Sequence, residues 1–209
     1  MQLKPRSIPL IKPNLFTLIA AVLALTPTTS AVAQTRETLN LVSGWTFIRA
    51  DAGVQAPTTG WQPVTVPHTW NTADGANGKA ADPQYPEGYY RGPAWYARAL
   101  DVPAAWQGKR VFIRFEAVDY KTTVWCNEQE LGTHIGGNLP FSYDITDTLK
   151  DSDNVITVRV EDATGGAQLR GKQVLNPGGI FYTRNSGIWQ TVWLEEVPQT
   201  RVEALAITT

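Results

Sequence analysis

Two stretches of the chain mix aromatic rings with planar polar side chains, a combination that suits the binding of sugars. A pyranose ring presents apolar C–H faces that pack on aromatic rings, and hydroxyl groups that pair with planar donors and acceptors. We expect contacts to a carbohydrate from one residue in a turn, Asp119, and from seven residues in two long loops: Tyr89, Tyr90, Arg91, Arg170, Gln173, Tyr182 and Arg184.

The same residue types also favour a second interpretation. Tyrosine, tryptophan and arginine are enriched where proteins contact one another. The aromatic residues of the two loops would then cover the edges of a β-domain or form an interface with another domain, without binding a sugar. The sequence alone leaves both interpretations open.

The sequence does not support catalysis by these residues. Hydrolysis of a glycosidic bond uses two carboxyl groups, about 5–5.5 Å apart for retention and about 6.5–9.5 Å apart for inversion. Four carboxyl groups are candidates, but their spacing does not pair them: Glu87, Glu116, Asp119 and Asp162. We therefore assign no catalytic residue.

Two motifs that could hold a metal or a nucleotide are incomplete. The histidines, His68 and His134, occupy separate turns without a second ligand type at metal spacing. The run GAQLRGKQ at 166–173 approaches a phosphate-binding loop, but Gln173 stands where that loop needs a serine or threonine. The sequence predicts neither a metal site nor a cofactor.

The elements that must position the loops are β-strands. Val111, Ile113 and Phe115 alternate with more polar neighbours, and runs at 122–127 and 131–135 repeat this period of two. The short turns between the runs predict a three-strand antiparallel meander in the middle of a β-sandwich. Asp119 would lie in the turn between its first two strands, at one end of the sandwich.

The rest of the chain follows the same pattern. Strands are expected over 39–41, 45–49, 61–66, 94–102, 154–162, 189–196 and 201–207, with a short helical turn before Leu149. Two loops, 71–93 and 163–179, are longer than compact domains usually contain, which favours a functional role. The single cysteine, Cys126, alternates onto the same face as Val124, so we expect a small buried apolar residue rather than a reactive thiol.

The first 33 residues have the pattern of a secretory signal peptide. Three basic residues precede an apolar run from Leu15 to Leu25, and Ala31-Val32-Ala33 resembles a signal-peptidase site. Eleven apolar residues are too few to cross a bilayer, which takes about 20. We expect cleavage before Gln34 and a secreted or periplasmic domain, not bound to a membrane, whose net charge falls from −1 to −4 because three basic and no acidic residues are removed. Such a charge does not suit nucleic acid.

Two long blocks resemble the N-terminal domain of glycoside hydrolase family 2, the β-galactosidase, β-glucuronidase and β-mannosidase family. The first is FEAVDYKTTVWCNEQELGTHIGGNLPFSYDIT, similar to the family pattern VWxNGxxxGxHxGGxxPFxxDIT. The second is RGKQ at 170–173 followed by GGIFYTRNSGIWQTVWLEEV at 178–197. The resemblance implies an antiparallel jelly-roll β-sandwich, like galactose-binding domains, over 34–200. It also implies that 201–209 begin an immunoglobulin-like domain.

The resemblance also implies a role. In the family, the two catalytic glutamates belong to a barrel that follows these domains. We therefore expect the non-catalytic N-terminal domain of an exported glycosidase that hydrolyses terminal β-glycosides, with a carbohydrate and the catalytic barrel as partners. The alternatives are a free-standing carbohydrate-binding module and a purely structural interface domain. A binding module would expose Tyr89, Tyr182 and Arg184 around a groove, whereas an interface domain would show a flat apolar patch there.

Overall fold

The computed structural model describes residues 36–73, 90–174, 177–202 and 205–208. Two antiparallel sheets contain all the strands of these residues and confirm the all-β prediction. The strands are β1 Glu37–Asn40, β2 Trp45–Arg49, β3 Gln62–Val64, β4 Ala94–Leu100, β5 Arg110–Phe115, β6 Lys121–Cys126, β7 Gln129–Ile135, β8 Phe141–Asp144, β9 Asn154–Glu161 and β10 Val192–Val197. One helical turn, α1, spans Trp70–Ala73, and 3₁₀ turns span Ala104–Trp106 and Thr146–Thr148. The proposed signal peptide lies outside the described residues.

Partners distant in sequence build both sheets. The four-stranded sheet has the order β1–β10–β5–β8, and the six-stranded sheet has the order β3–β2–β4–β9–β6–β7. The first strand pairs with the last, with Leu39 opposite Leu194. In the larger sheet β9 lies between β4 and β6, and its residues 156–160 pair with both neighbouring strands.

The predicted three-strand meander is wrong in its first connection. β5 belongs to the four-stranded sheet and β6 to the six-stranded sheet, so the chain from Glu116 to Tyr120 crosses between them. Segment 187–191 supports this crossing, because Glu116 N donates to the Thr191 carbonyl and Asp119 N donates to the Gly187 carbonyl, each at 3.0 Å. The predicted β6–β7 hairpin is confirmed.

The core lies between the two inner faces and follows the period of two. Val111, Ile113 and Phe115 of β5 are buried, as are alternate residues of β9. Each large apolar side chain moved out of water contributes about 1.5–3 kcal/mol before the entropy cost of ordering is counted. Cys126 is fully buried in this core, and burial raises the pKa of its thiol, as expected of an inert residue.

The antiparallel register places the connections between strands at two opposite ends of the six-stranded sheet. The start of β4, the start of β6 and the end of β9 meet at one end, because Ala94 pairs with Val160 and Lys121 pairs with Glu161. We call this the loop end, since Tyr90, Asp119 and Asp162 lie beside it. The end of β6 and the start of β9 form the opposite end.

The strand predicted at the end of the chain is not observed. Residues 201, 202 and 205–208 form no strand, although a strand was predicted over 201–207. A strand needs a hydrogen-bonded neighbour, and the described part of the chain places none beside these residues. None of the described helices is long and apolar enough to span a bilayer.

Candidate functional site

Buried polar groups join the two long loops at the loop end of the sandwich. We call the set Asn71, Asp119, Asp162, Gln173 and Ser186 the polar network. Asn71 Nδ2 donates to Ser186 Oγ and to the Arg184 carbonyl, each at 3.0 Å. Asn71 precedes the first loop and Ser186 lies in the connection between β9 and β10, so these bonds join the start of one loop to the connection that contains the other.

Asp162 is the acceptor at the centre of the network. It accepts hydrogen bonds from Thr164 N at 2.8 Å, from Thr164 Oγ1 at 3.1 Å and from Gln168 Nε2 at 3.3 Å. Ser186 Oγ also donates to it. Because Asp162 is only 3% exposed, these donors replace the water that a carboxylate would otherwise bind.

Asp119 is fixed by its backbone and its side chain. Its backbone N–H and carbonyl exchange hydrogen bonds with Gly187 at 3.0 and 2.9 Å, and its side chain is hydrogen-bonded to Gln173. Gln173 Oε1 in turn accepts from Asn185 N at 2.5 Å. The predicted site residues Asp119 and Gln173 are therefore brought together, through the segment that leads to β10.

The carboxyl group of Asp119 has an unusual pKa. Burial raises it first, and the nearby Asp162 raises it further, against a smaller opposing effect of the Gln173 hydrogen bond; the result is a pKa of about 7. Asp119 is 7% exposed, and a Cβ atom added to Gly137 would lie 2.6 Å from its carboxyl group. The two carboxyl groups therefore brace the loops from beneath and are not open to a substrate.

Tyr90 has a structural position that its sequence context did not indicate. It is 9% exposed, its hydroxyl donates to the Pro93 carbonyl at 2.5 Å, and the Arg49 guanidinium lies 5.5 Å from its ring centre. Trp70 Nε1 also donates to its carbonyl at 3.2 Å. Tyr90 is thus a core residue, because its ring and its hydroxyl both have partners inside the domain. Tyr89 lies outside the described residues.

The arginines of the site face the protein more than solvent. Arg184 is 2% exposed, which corrects the expectation of a guanidinium group displayed at a groove. Arg170 Nη1 donates to the Thr164 carbonyl at 2.8 Å and so closes the turn after β9. Arg91 is half-buried beside Tyr90. Arg170 thus holds loop backbone in place, a role that a list of polar residue types cannot distinguish from ligand binding.

Tyr182 is exposed, and it belongs to an apolar surface. Its side chain is 61% exposed, and its backbone N–H donates to the Lys172 carbonyl at 3.0 Å. We define the apolar loop surface as the exposed large side chains of this second loop: Leu169 at 78%, Ile180 at 66%, Phe181 at 48% and Tyr182. These exposed apolar side chains and the buried Arg184 fit the interface alternative better than a polar groove.

A cavity of about 770 Å³ lies beside the network. Its lining includes His68, Asn185 and Trp189. His68 Nδ1 is 2.8 Å from the hydroxyl of the buried Tyr96, and burial, with a smaller effect of Arg49, lowers the pKa of His68. Trp189 Nε1 donates to the Gly137 carbonyl at 2.8 Å, which fixes the outer wall. The lowered pKa keeps the His68 imidazole neutral, and its contact with the Tyr96 hydroxyl is typical of a structural pair.

Sequence reasoning missed Asn71 and Ser186, and it did not pair Asp119 with Asp162. The available signal was small polar residues directly beside predicted strands and turns, but without the β6–β9 pairing nothing placed these residues together. Across the parts of the chain that the structure describes, no group of three or more metal-ligating side chains is found.

Comparison with known proteins gives one consistent result. Residues 39–198 match the family described as "Glycosyl hydrolases family 2, sugar binding domain". The chain is 36% identical over 135 residues to a β-glucuronidase of Bacteroides fragilis, covering 64% of this chain and 17% of that protein. It is 28% identical over 176 residues to a β-galactosidase of Thermoanaerobacter pseudethanolicus, covering 80% and 22%. The crystal structure of a Bacteroides uniformis β-glucuronidase superposes with a TM-score of 0.60 at 30% identity, over 78% of this chain and 18% of that one. The chain thus spans about a fifth of the length of these relatives.

Proposed function

Since this chain belongs to the sugar binding domain family of the family 2 glycosyl hydrolases, we propose that it serves as the non-catalytic N-terminal domain of a longer glycosidase. The observation that carries the proposal is the family match over 39–198. In this role a jelly-roll sandwich braces the catalytic barrel and shapes the substrate entrance with its two long loops. The reaction of the whole enzyme would be hydrolysis of a terminal β-glycoside, in line with the β-glucuronidases and β-galactosidases to which the chain is similar.

The apolar loop surface supports contact with the barrel. Four large apolar side chains on one loop are exposed, and contiguous exposed apolar patches on soluble domains often mark contacts with other domains or ligands. The bonds of the polar network, from Gln168 Nε2 to Asp162 and from Asn185 N to Gln173 Oε1, connect described residues on either side of these side chains. We propose the barrel as the occupant and the carbohydrate as a ligand at the border between the two.

The test is a comparison of two purified proteins. One is the 209-residue chain, and the other is the product of the complete reading frame that contains it. With p-nitrophenyl β-glucuronide, β-galactoside and β-mannoside as substrates, we expect hydrolysis by the longer product and none by the 209-residue chain. If the reading frame stops at Thr209, or if the longer product hydrolyses none of the substrates, the proposal fails.

We also propose that the domain is exported, after cleavage between Ala33 and Gln34. The support is the basic, apolar and small-residue pattern of residues 1–33. Mass spectrometry of the protein recovered outside the cytoplasm should give a mass that begins at Gln34. Full-length mass in the cytoplasmic fraction alone would contradict export.

A further inference from the structure

A second cavity of about 770 Å³ lies on the outer face of the six-stranded sheet. Loop residues 54–56 form one wall, and β4, β6 and β9 form its floor. We call it the tryptophan pocket, after Trp95 and Trp125 in that floor. Its volume falls within the range of about 300–1,000 Å³ that is usual for small-ligand sites.

The two indole rings form a stacked platform. Their centres are 5.5 Å apart with 27° between the planes. Trp95 is 1% exposed, and the Arg159 guanidinium lies 5.8 Å from its ring centre, so the inner ring is fixed from both sides. Trp125 is only half-buried and lies at the cavity. Its ring therefore offers a supported flat apolar surface, which suits the C–H face of a pyranose.

Hydrogen-bonding groups surround this platform. The lining includes the exposed side chains of Gln55, Glu128, Lys150 and Asp153. These side chains supply amide, carboxylate and ammonium groups that can pair with the hydroxyl groups of a sugar.

We infer that the tryptophan pocket is a binding site for a neutral oligosaccharide. An aromatic floor with amide, carboxylate and ammonium groups around it matches both faces of sugar chemistry, apolar C–H and polar hydroxyl. The exposed lining carries two carboxylates, Glu128 and Asp153, against the one ammonium group of Lys150. The Arg159 guanidinium beside Trp95 is paired with Glu161, so the remaining charge disfavours a chain of uronic acids. The neutral sugar is therefore preferred.

This pocket is separate from the candidate site at the loop end. Asp153 precedes β9 and Asp162 follows it, nine residues later, which places the two about 30 Å apart at about 3.3 Å per residue. Of the residues in the pocket floor, Trp95, which pairs with Arg159, lies nearest to the loop end. The inference therefore does not depend on the proposed contact with a barrel. It predicts that sugar binds to the isolated chain.

The experiment is a titration of the full 209-residue chain, labelled with ¹⁵N, in which the indole N–H signals of its tryptophans are followed. The probes are cellohexaose, β-1,4-mannohexaose and β-1,4-xylohexaose, with β-1,4-hexaglucuronate as the matched charged comparator. We expect at least one neutral hexasaccharide to shift the signals of Trp95 and Trp125 and to leave that of Trp189, at the loop end, in place. Hexaglucuronate should bind at least about tenfold more weakly than cellohexaose.

Variants test whether sugar binding depends on the side chains that line the pocket. Trp125→Ala should raise the dissociation constant at least about tenfold, since truncation of a central aromatic anchor usually costs that much or more. A double variant of two exposed residues, Gln55→Ala with Glu128→Ala, should also weaken binding without disturbing the packing of Trp95. Val42→Ala, at an exposed residue that does not line the pocket, should leave the dissociation constant unchanged. If no neutral hexasaccharide at millimolar concentration shifts Trp95 and Trp125, or if the variants bind like the parent chain, the inference is overturned.

Discussion

Asp119 ties the candidate site to the stability of the domain. The folded chain holds its proton up to a pKa of about 7, above the ordinary value of 3.8. The folded state therefore binds more protons than the unfolded state between these values, so this group's contribution to stability is complete below about pH 4 and is lost as the pH rises through 7. The difference is of the order of 4 kcal/mol at most.

Asp119→Asn tests this directly. The amide keeps the neutral form at every pH, so the decline in unfolding free energy between pH 4 and 8 should become smaller. Urea denaturation at several pH values measures it. Asp144→Asn is the matched control of opposite sign. Burial alone would raise the pKa of Asp144, but hydrogen bonds from Thr146 and Arg110 lower it below its ordinary value. Its loss should therefore reduce stability at neutral pH more than in acid. Equal pH profiles for the parent and Asp119→Asn would contradict the assignment.

Gly187 is a position where a side chain has no room. Its φ is +113°, and an added Cβ would lie 2.3 Å from the Tyr96 hydroxyl and 3.1 Å from the His68 carbonyl. Gly187→Ala should lower the unfolding free energy by at least about 2 kcal/mol. Gly166→Ala is the control, since its φ of +63° is also positive but nothing lies within 4 Å; its cost should be about 1 kcal/mol. Thermal unfolding of both variants decides whether close packing or backbone conformation dominates at residue 187.

At the scale of elements, the polar network is what holds the second loop. Ser186 Oγ accepts from Asn71 and donates to Asp162, and Ser186 is fully buried. Ser186→Ala leaves both partners short of a hydrogen bond and should cost about 1–3 kcal/mol. Ser152→Ala, at an exposed position, should change stability by less than about 0.5 kcal/mol.

Hydrogen exchange adds a local measurement to that prediction. Amides of Thr164 and Asn185, which are bonded to Asp162 and Gln173, should exchange faster in Ser186→Ala than amides of β9. Uniform acceleration across the domain would mean that the serine supports the whole fold and has no particular role in the loops.

The four-stranded sheet carries an ionic cluster on its outer face. Glu195 is 9% exposed at its side chain and pairs with Arg114 and with Arg36, the latter at 3.1 Å. Glu195→Gln leaves these guanidinium groups without their carboxylate and should cost about 1.5–3 kcal/mol. Glu161, 35% exposed and paired with Lys121 and Arg159, provides the comparison, and Glu161→Gln should cost about 1 kcal/mol or less. Equal losses in denaturant titrations would mean that burial does not strengthen the cluster.

The sequence predicted local structure better than pairing. The alternation in β5, β6 and β9 fixes which side chains face the core, and the hairpin after Cys126 follows from a short turn. The crossing from β5 to β6 depends on β10, about 80 residues away, and a local period carries no information about so distant a partner. The same limit applies to the site, because Tyr90 and Arg184 have the residue types of a sugar site, yet long-range packing buries them.

At the scale of the whole molecule, the loop end and the outer face of the six-stranded sheet differ in character. The loop end has a buried polar network and exposed apolar side chains on the second loop, whereas the outer face of that sheet has a pocket with an aromatic floor. A domain that docks through the loop end and keeps that outer face free fits both observations. The docking end can be tested apart from the pocket.

The last prediction concerns that docking end. Ile180→Ser with Phe181→Ser replaces two exposed apolar side chains, 66% and 48% exposed, so the isolated domain should unfold within a few degrees of the parent, as surface changes usually do. When the remainder of the reading frame is produced separately and added, binding measured by calorimetry should weaken at least about tenfold, because that apolar area no longer leaves water on association. Val42→Ser, which changes an exposed apolar residue outside the second loop, should bind like the parent. If the double variant also binds like the parent, the barrel contacts another face, and the exposed side chains of the second loop then have a different partner.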